Sequence, residues 1–248
     1  MTPPRRVVAI TGAGGALGAA VARQLAGEPD TDLLLSDISA PSLEATVAGI
    51  PRGEGSIETT LADVSDFAEV EAAIMLAVER FGRLDVLISN AGVLSPNGRI
   101  HNLATEDWER AFRINVLGAV NGIRAAVAVM RPQRAGSIVL TASVAGMTAW
   151  SHSAPYCATK AAVIQLAKVA AVEYARDGIR VNCVCPGTFL SAIHTDLPQD
   201  ALDAVAARHP LGLGSATDIV GAYSYLASDA ARWTTGSALV VDGGYAAP

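Results

Sequence analysis

The sequence predicts an α/β fold: one doubly wound domain whose seven-stranded parallel sheet is flanked by helices. Three observations predict it. Strand-like apolar runs alternate with amphipathic, helix-like stretches from one end of the chain to the other, the pattern of a parallel sheet built from β-α units. Hydrophobic residues make up 51% of the 248 residues but aromatics only 5%, so the core is built from Ala, Val, Leu and Ile, which suits strands covered on both faces. A glycine-rich turn follows the first strand at once, as a turn approached closely by a ligand requires.

The elements follow in order. Val7 to Thr11 reads as the first strand, then the glycine turn and a helix from about Ala16 to Ala26. Further strands are expected at Leu33–Ser36, Ser56–Ala62, Val86–Ser89, Ser137–Ala142, Arg180–Val184 and Ala238–Val241. Helical periodicity covers Phe67–Phe81, Glu106–Met130, Pro155–Arg176 and Ala216–Ala227. No Pro-, Gly- or Ser-rich break divides the chain and no repeat is present, so residues 1–248 form one unit. The irregular, polar stretch at about 188–210 is expected to be a mobile substrate lid.

Composition narrows the function. The net charge of −6, from 18 basic and 24 acidic residues, includes no Lys- or Arg-rich run, so nothing marks a nucleic-acid partner. Mean hydropathy is high at +0.35, yet Arg124 and Lys168 interrupt the two richest helices before spanning length, and no membrane partner is expected. Met1 to Arg6 leads straight into the strand and Gly12–Gly15 without a signal-like apolar core, and the protein is expected to be cytoplasmic. Cys157, Cys183 and Cys185 are too few and too unevenly placed for a disulfide framework. Cys183 and Cys185 share one face of a strand; with no further Cys or His at ligand spacing, two buried thiols are expected there and no metal.

The glycine turn, Thr11-Gly12-Ala13-Gly14-Gly15-Ala16-Leu17-Gly18, is suited to a pyrophosphate at a helix N-terminus. It does not meet the G-x-G-x-x-G spacing, because position 17 is Leu, and a merely tight strand-to-helix turn is the other reading. Asp37 ends the second strand, nineteen residues after Gly18. A carboxylate there accepts hydrogen bonds from the adenosine ribose and repels an additional phosphate. Its neighbours Ser36, Ile38 and Ser39 are not basic, so NAD is expected over NADP.

Tyr156 and Lys160 are four residues apart in a helical stretch and share a face. Ser143 lies just after a strand, thirteen residues before Tyr156, at the end of the sheet where such folds place ligands. A phenol titrates near ~10; a neighbouring ammonium and an oxidised nicotinamide both favour the phenolate. Tyr156 is thereby expected to act as general base in alcohol oxidation and general acid in the reverse direction, with Ser143 holding the substrate oxygen. Taken singly, each residue also fits an exposed helix face or a cap; their joint presence behind the glycine turn sets the expectation.

On these residues the chain resembles the short-chain dehydrogenase/reductase family, in its small single-domain, Rossmann-like subgroup, from Val7 to Tyr245. Tyr156-Cys157-Ala158-Thr159-Lys160 matches Y-x-x-x-K, and Thr11-Gly12 through Gly18 matches the family's T-G-x-x-x-G-x-G. Asn90-Ala91-Gly92, Asp63-Val64, Asn115, Pro186-Gly187 and Val241-Asp242-Gly243-Gly244 match its remaining signatures. The resemblance implies a catalytic set of Asn115, Ser143, Tyr156 and Lys160, with Asn115 holding a water of the proton relay. It implies cofactor contacts from Gly12, Gly15, Ala16, Leu17, Gly18, Asp37, Asp63, Val64, Asn90, Ala91, Gly92, Tyr156, Lys160, Pro186, Gly187, Phe189 and Ser191. It also implies a homotetramer formed through the long helices and the last strand.

Three positions depart from the family pattern: Ala16 for a glycine, Ser191 for a threonine, and Leu213 for an arginine. The residues expected to face the substrate are Leu94, Ala145, Trp150, His152, Ser153, Thr188 and parts of 194–205. They are mostly apolar or neutral, and no cation follows in the lid until Arg208, so a neutral, partly apolar alcohol or ketone is expected. The alternative is a catalytically silent NAD(H)-binding regulatory protein; the intact set of four residues speaks against it.

Overall fold

The computed structural model describes residues 5–51, 53–190 and 199–247. Seven parallel strands form one sheet: β1 (Arg6–Thr11), β2 (Thr31–Asp37), β3 (Ile57–Leu61), β4 (Val86–Ser89), β5 (Gly136–Thr141), β6 (Ile179–Pro186) and, after a separate two-residue pair of β7 (Phe189–Leu190) with β8 (Gly214–Ser215), β9 (Ala238–Val241). Their spatial order is β3-β2-β1-β4-β5-β6-β9. The chain winds outward from β1 in one direction, then returns to β4 and winds in the other. The crevice between the carboxyl ends of β1 and β4 is therefore the switch point where such sheets bind ligands.

Period-two alternation builds a core on each face. Val7 and Ala9 of β1 pack into the layer formed with α3 (Phe67–Phe81), α5 (Gly118–Gln133) and α6 (Ala154–Tyr174). Val8 and Ile10 pack into the layer formed with α1 (Ala16–Ala26), α2 (Ala40–Ala48) and α8 (Ala216–Ala227). Small residues bring these layers close: a Cβ at Gly122 would sit 3.2 Å from the Leu87 side chain.

The expected strands stand within two residues of the observed ends. Three features differ. The sequence reading places no helix between residues 37 and 56, yet α2 forms there. Ser39 caps it by accepting from the Ser42 N–H at 3.3 Å, and Pro41 stands in its first turn, a start signal that carries no apolar periodicity. The helix expected over Glu106–Met130 is α4 (Thr105–Phe112), a π turn at Arg113–Leu117, and α5. That run, Thr105–Gln133, is long and apolar enough by length and composition to cross a membrane, and half of its apolar window is buried inside the protein. Within the stretch expected to be irregular, Gln199–Ala206 forms a helix, α7; residues 191–198 lie outside the described residues.

Candidate active site

The glycine turn closes on β4. Gly12 has φ +64°, and a Cβ on it would stand 2.6 Å from the Ala91 Cα; only glycine fits there. Asn90 fastens the two segments: its Nδ2 donates to the Gly12 carbonyl at 3.0 Å, and its N–H donates to the Thr11 hydroxyl at 3.1 Å. Asp37 closes the other side. One carboxylate oxygen accepts from the Gly14 N–H at 2.9 Å and the other from the Ser39 N–H at 3.0 Å. A Cβ at Gly14 would meet this carboxylate at 3.0 Å and the Ser42 Cβ at 2.5 Å.

The N-terminus of α1 fits an anionic ligand. Ser39 and Asp66 cap α2 and α3 with their side chains, whereas α1 starts on Gly15 with no side-chain cap and no acidic residue in its first turn. Its unclaimed N–H groups and positive dipole end are directed at a cleft of about 480 Å3. Gly12, Gly15, Ala16, Leu17 and Gly18 line this cleft. Ala16 is exposed, so its methyl group faces ligand space rather than protein.

The far end of the same cleft holds Ser143, Tyr156 and Lys160. Ser143 follows β5 and begins a single turn of 3-10 helix, its hydroxyl accepting from the Ala145 N–H at 3.1 Å. Tyr156 and Lys160 project from the first turns of α6. The Lys160 ammonium, only 4% exposed, donates to the Thr141 carbonyl at 2.8 Å. It stands 5.6 Å from the Tyr156 ring centre. Burial pulls Lys160 down to about 8, against the opposing influence of the Cys185 and Cys183 thiols. Burial likewise raises the Tyr156 phenol above its ordinary range, opposed by a hydrogen bond with Ser143 and assisted by Cys157. In the chain alone the phenol thus moves opposite to the expected lowering: removing water from a phenolate costs more than the Ser143 hydrogen bond returns.

Asn115 stands behind the cleft wall rather than on it. It is 2% exposed. Its Oδ1 accepts from the Val93 N–H at 2.8 Å, and its Nδ2 donates to the Val93 carbonyl at 2.9 Å and to Thr159 Oγ1 at 3.0 Å. Thr159 Oγ1 in turn donates to the Tyr156 carbonyl at 2.8 Å. Asn115 thus joins the β4 loop to the helix that carries Tyr156. The π turn that presents it adds a residue to the helical turn, as such bulges do at functional positions.

Asp63, Val64, Asn90, Ala91, Gly92, Pro186, Gly187 and Phe189 also line the cleft. Ser191 lies outside the described residues. Of the residues expected at the substrate, Leu94, Trp150 and Thr188 line the cleft and Ala145, His152 and Ser153 do not. His152 is exposed on a turn with φ +67°, its Nδ1 2.8 Å from the Ser151 hydroxyl.

The sequence reading missed Arg110 and Ile114, which both line the cleft. They are four apart and precede Asn115 on the same helical run, a spacing that signals a shared face but not which face. It also missed an aromatic chain: Trp150 lies 6.1 Å from both Tyr156 and Tyr245, and Tyr245 lies 4.7 Å from His209. His209, 3% exposed, accepts from the Thr188 N–H at 3.1 Å through Nε2, and its Nδ1 is 2.9 Å from the Val205 carbonyl.

A family model described as enoyl-(acyl carrier protein) reductase matches residues 12–246. Cis-4-hydroxycyclohexanecarboxylate dehydrogenase of Sinomonas cyclohexanicum is 37% identical over 98% of this chain and 97% of its own. The chain belongs to the short-chain dehydrogenase/reductase family. Solved structures agree with this short-chain dehydrogenase/reductase throughout its length. The crystal structure of levodione reductase matches with a TM-score of 0.92 and 33% identity over 98% of each chain. A structure of ElxO with NADP bound matches with a TM-score of 0.91 and 29% identity, covering 98% of this chain and 100% of that one.

Proposed function

We propose that this short-chain dehydrogenase/reductase is NAD-dependent and moves a hydride between nicotinamide and a secondary alcohol or ketone. The observation that carries the reading is that Ser143, Tyr156 and Lys160 share one cleft with the uncapped α1 N-terminus and Asp37. Asp37 favours NAD: its carboxylate lies where the ribose binds in such folds, and no basic residue flanks it in sequence.

In this reading Gly12, Gly15, Ala16, Leu17 and Gly18 hold the pyrophosphate and Asp37 the adenosine ribose. Asp63 and Val64 take the adenine, with Asn90, Ala91 and Gly92 beneath it. Pro186, Gly187, Phe189 and Ser191 surround the nicotinamide. The bound dinucleotide supplies a two-electron acceptor when oxidised and a donor when reduced. In oxidation Ser143 holds the alcohol oxygen by a hydrogen bond and the Tyr156 oxygen removes its proton; in reduction the Tyr156 hydroxyl returns it. Lys160 holds the nicotinamide ribose and favours the phenolate. Asn115 has both Nδ2 hydrogens committed, so its side chain serves to position the Val93 loop and the helix that carries Tyr156.

The substrate is a small, partly apolar alcohol or ketone, in line with relatives named for hydroxycyclohexanecarboxylate and levodione. Arg110 places a cation on the cleft wall, which the lid composition did not suggest, and a substrate carboxylate is compatible with it. Residues 188–210 act as the lid. We read the protein as a cytoplasmic homotetramer; exposed Leu117 on the π turn and Val169 and Val172 on α6 give the long helices an apolar outer face that supports such packing.

The test is absorbance of the reduced nicotinamide with purified protein, NAD⁺ or NADP⁺, and a panel of cyclic secondary alcohols, with Tyr156→Phe alongside. Turnover with NAD⁺ that Tyr156→Phe abolishes is the expected result. Tight NADH binding without turnover on any alcohol or ketone would favour a silent regulator instead.

A further inference from the structure

A second cavity of about 750 Å3 opens at the opposite end of the sheet, where β4, β5 and β6 begin at Val86, Gly136 and Ile179. Four guanidinium groups line it, in a protein of net charge −6. Two of them are matched. Arg83 forks onto Asp85 at 2.6 and 2.9 Å, and Arg6 pairs with Glu28.

The other two are not. Arg180 spends its Nη2 on the carbonyls of Leu226 at 2.8 Å and Ser228 at 3.2 Å, and its Nη1 on that of Thr234 at 3.4 Å. Among the described residues, no carboxylate stands within ion-pair distance of it, and the Arg232 guanidinium has neither a hydrogen bond nor an ion pair. Asp229, a lining carboxylate, acts on Arg180 only at longer range. The Arg6 Nε is sealed without an acceptor, so the donors here outnumber the acceptors. At the rim, Trp233 is 98% exposed.

Arg232 offers an uncommitted planar fork that matches a phosphate's geometry, and Arg180, its Nη2 committed to main-chain carbonyls, adds positive charge to the same cavity. An exposed indole offers a face for a flat ring. The geometry points to an anion site at this end of the sheet that takes a phosphate carried on an aromatic group, the phosphate on Arg232 in the field of Arg180 and the ring on Trp233. The site is distinct from the catalytic cleft and does not depend on the cofactor or substrate assignments.

Tryptophan fluorescence tests it in the full chain without dinucleotide, which is itself a phosphate carried on an aromatic group. Phenyl phosphate is the probe, with phenol and inorganic phosphate as controls. Saturable quenching by phenyl phosphate is expected, with each control at least about tenfold weaker. Trp233→Phe should remove the signal. Arg232→Gln should weaken binding about tenfold, read by calorimetry as well, while dehydrogenase turnover stays unchanged in both variants. No saturable response, or one unaltered in both variants, overturns the site. So does a Trp233 emission already blue-shifted and shielded from iodide, which would mean that another copy of the chain covers this face.

Discussion

The ammonium of Lys160 donates a 2.8 Å hydrogen bond to the carbonyl of Thr141, and so ties the helix carrying Tyr156 to the end of the strand that leads to Ser143. The same Thr141 offers its hydroxyl to Asn90 at 3.3 Å and lies 2.7 Å from the Tyr223 hydroxyl. One residue thereby joins the reactive end of the cleft to the strand loop beneath the dinucleotide end.

Burying this lysine has a signature in stability. Its pKa falls from 10.5 to about 8 on folding, so between these values the unfolded chain binds more protons than the folded one. Stability from this group therefore rises with pH across that window, and the penalty is full below about 8. Urea unfolding of wild type and Lys160→Met should show the difference shifting by about 1–2 kcal/mol in favour of wild type between pH 7 and pH 9.5. A difference that stays flat with pH would mean that the ammonium is not desolvated.

Tyr156→Phe should lower kcat by about 10²–10⁴-fold. Because burial raises the phenol in the chain alone, the phenolate absorbance of wild type should titrate at lower pH once NAD⁺ is added, and this shift should be absent from the phenylalanine variant. Alcohol oxidation should increase with pH and ketone reduction decrease, since the two directions need opposite protonation states of the same oxygen.

Asp37→Asn removes the charge and keeps an acceptor for only one of the Gly14 and Ser39 N–H groups. Discrimination against NADP⁺ should fall by about tenfold, about 1.4 kcal/mol of lost like-charge repulsion. The ratio of kcat/KM for the two cofactors measures it. An unchanged ratio would remove Asp37 as the selecting group.

Asn115→Leu leaves both main-chain groups of Val93 and the Thr159 hydroxyl without their partner. Loss of about 1–3 kcal/mol in urea unfolding is expected. A fall in kcat larger than any change in cofactor affinity should accompany it, because the link runs through Thr159 to the segment carrying Tyr156.

Much of this was legible in the sequence, for specific reasons. The strands are short apolar runs between turn residues, and parallel burial on both faces makes them conspicuous. Tyr156, Lys160 and Ser143 were legible because the helical four-residue spacing and the strand end fix their placement. The helix at Ala40–Ala48 was not, since only Leu43 and Thr46 of it are buried, too few for a visible periodicity. The break in the long helix was equally hidden: a π turn leaves the composition unchanged and is stabilised by Asn115 reaching residue 93, a contact that no local pattern encodes. Arg110 escaped because an exposed arginine on a helix reads as solvated surface until the fold brings a cleft beneath it.

The aromatic chain from Tyr156 through Trp150 to Tyr245 and His209 places the turn after the last strand two ring contacts from the Tyr156 phenol. A substitution at Tyr245 would therefore reach the Tyr156 side of the cleft through the Trp150 ring, although Tyr245 itself does not line the cleft. Trp150, in contact with Tyr156 itself, offers a built-in optical reporter for following occupancy of the cleft.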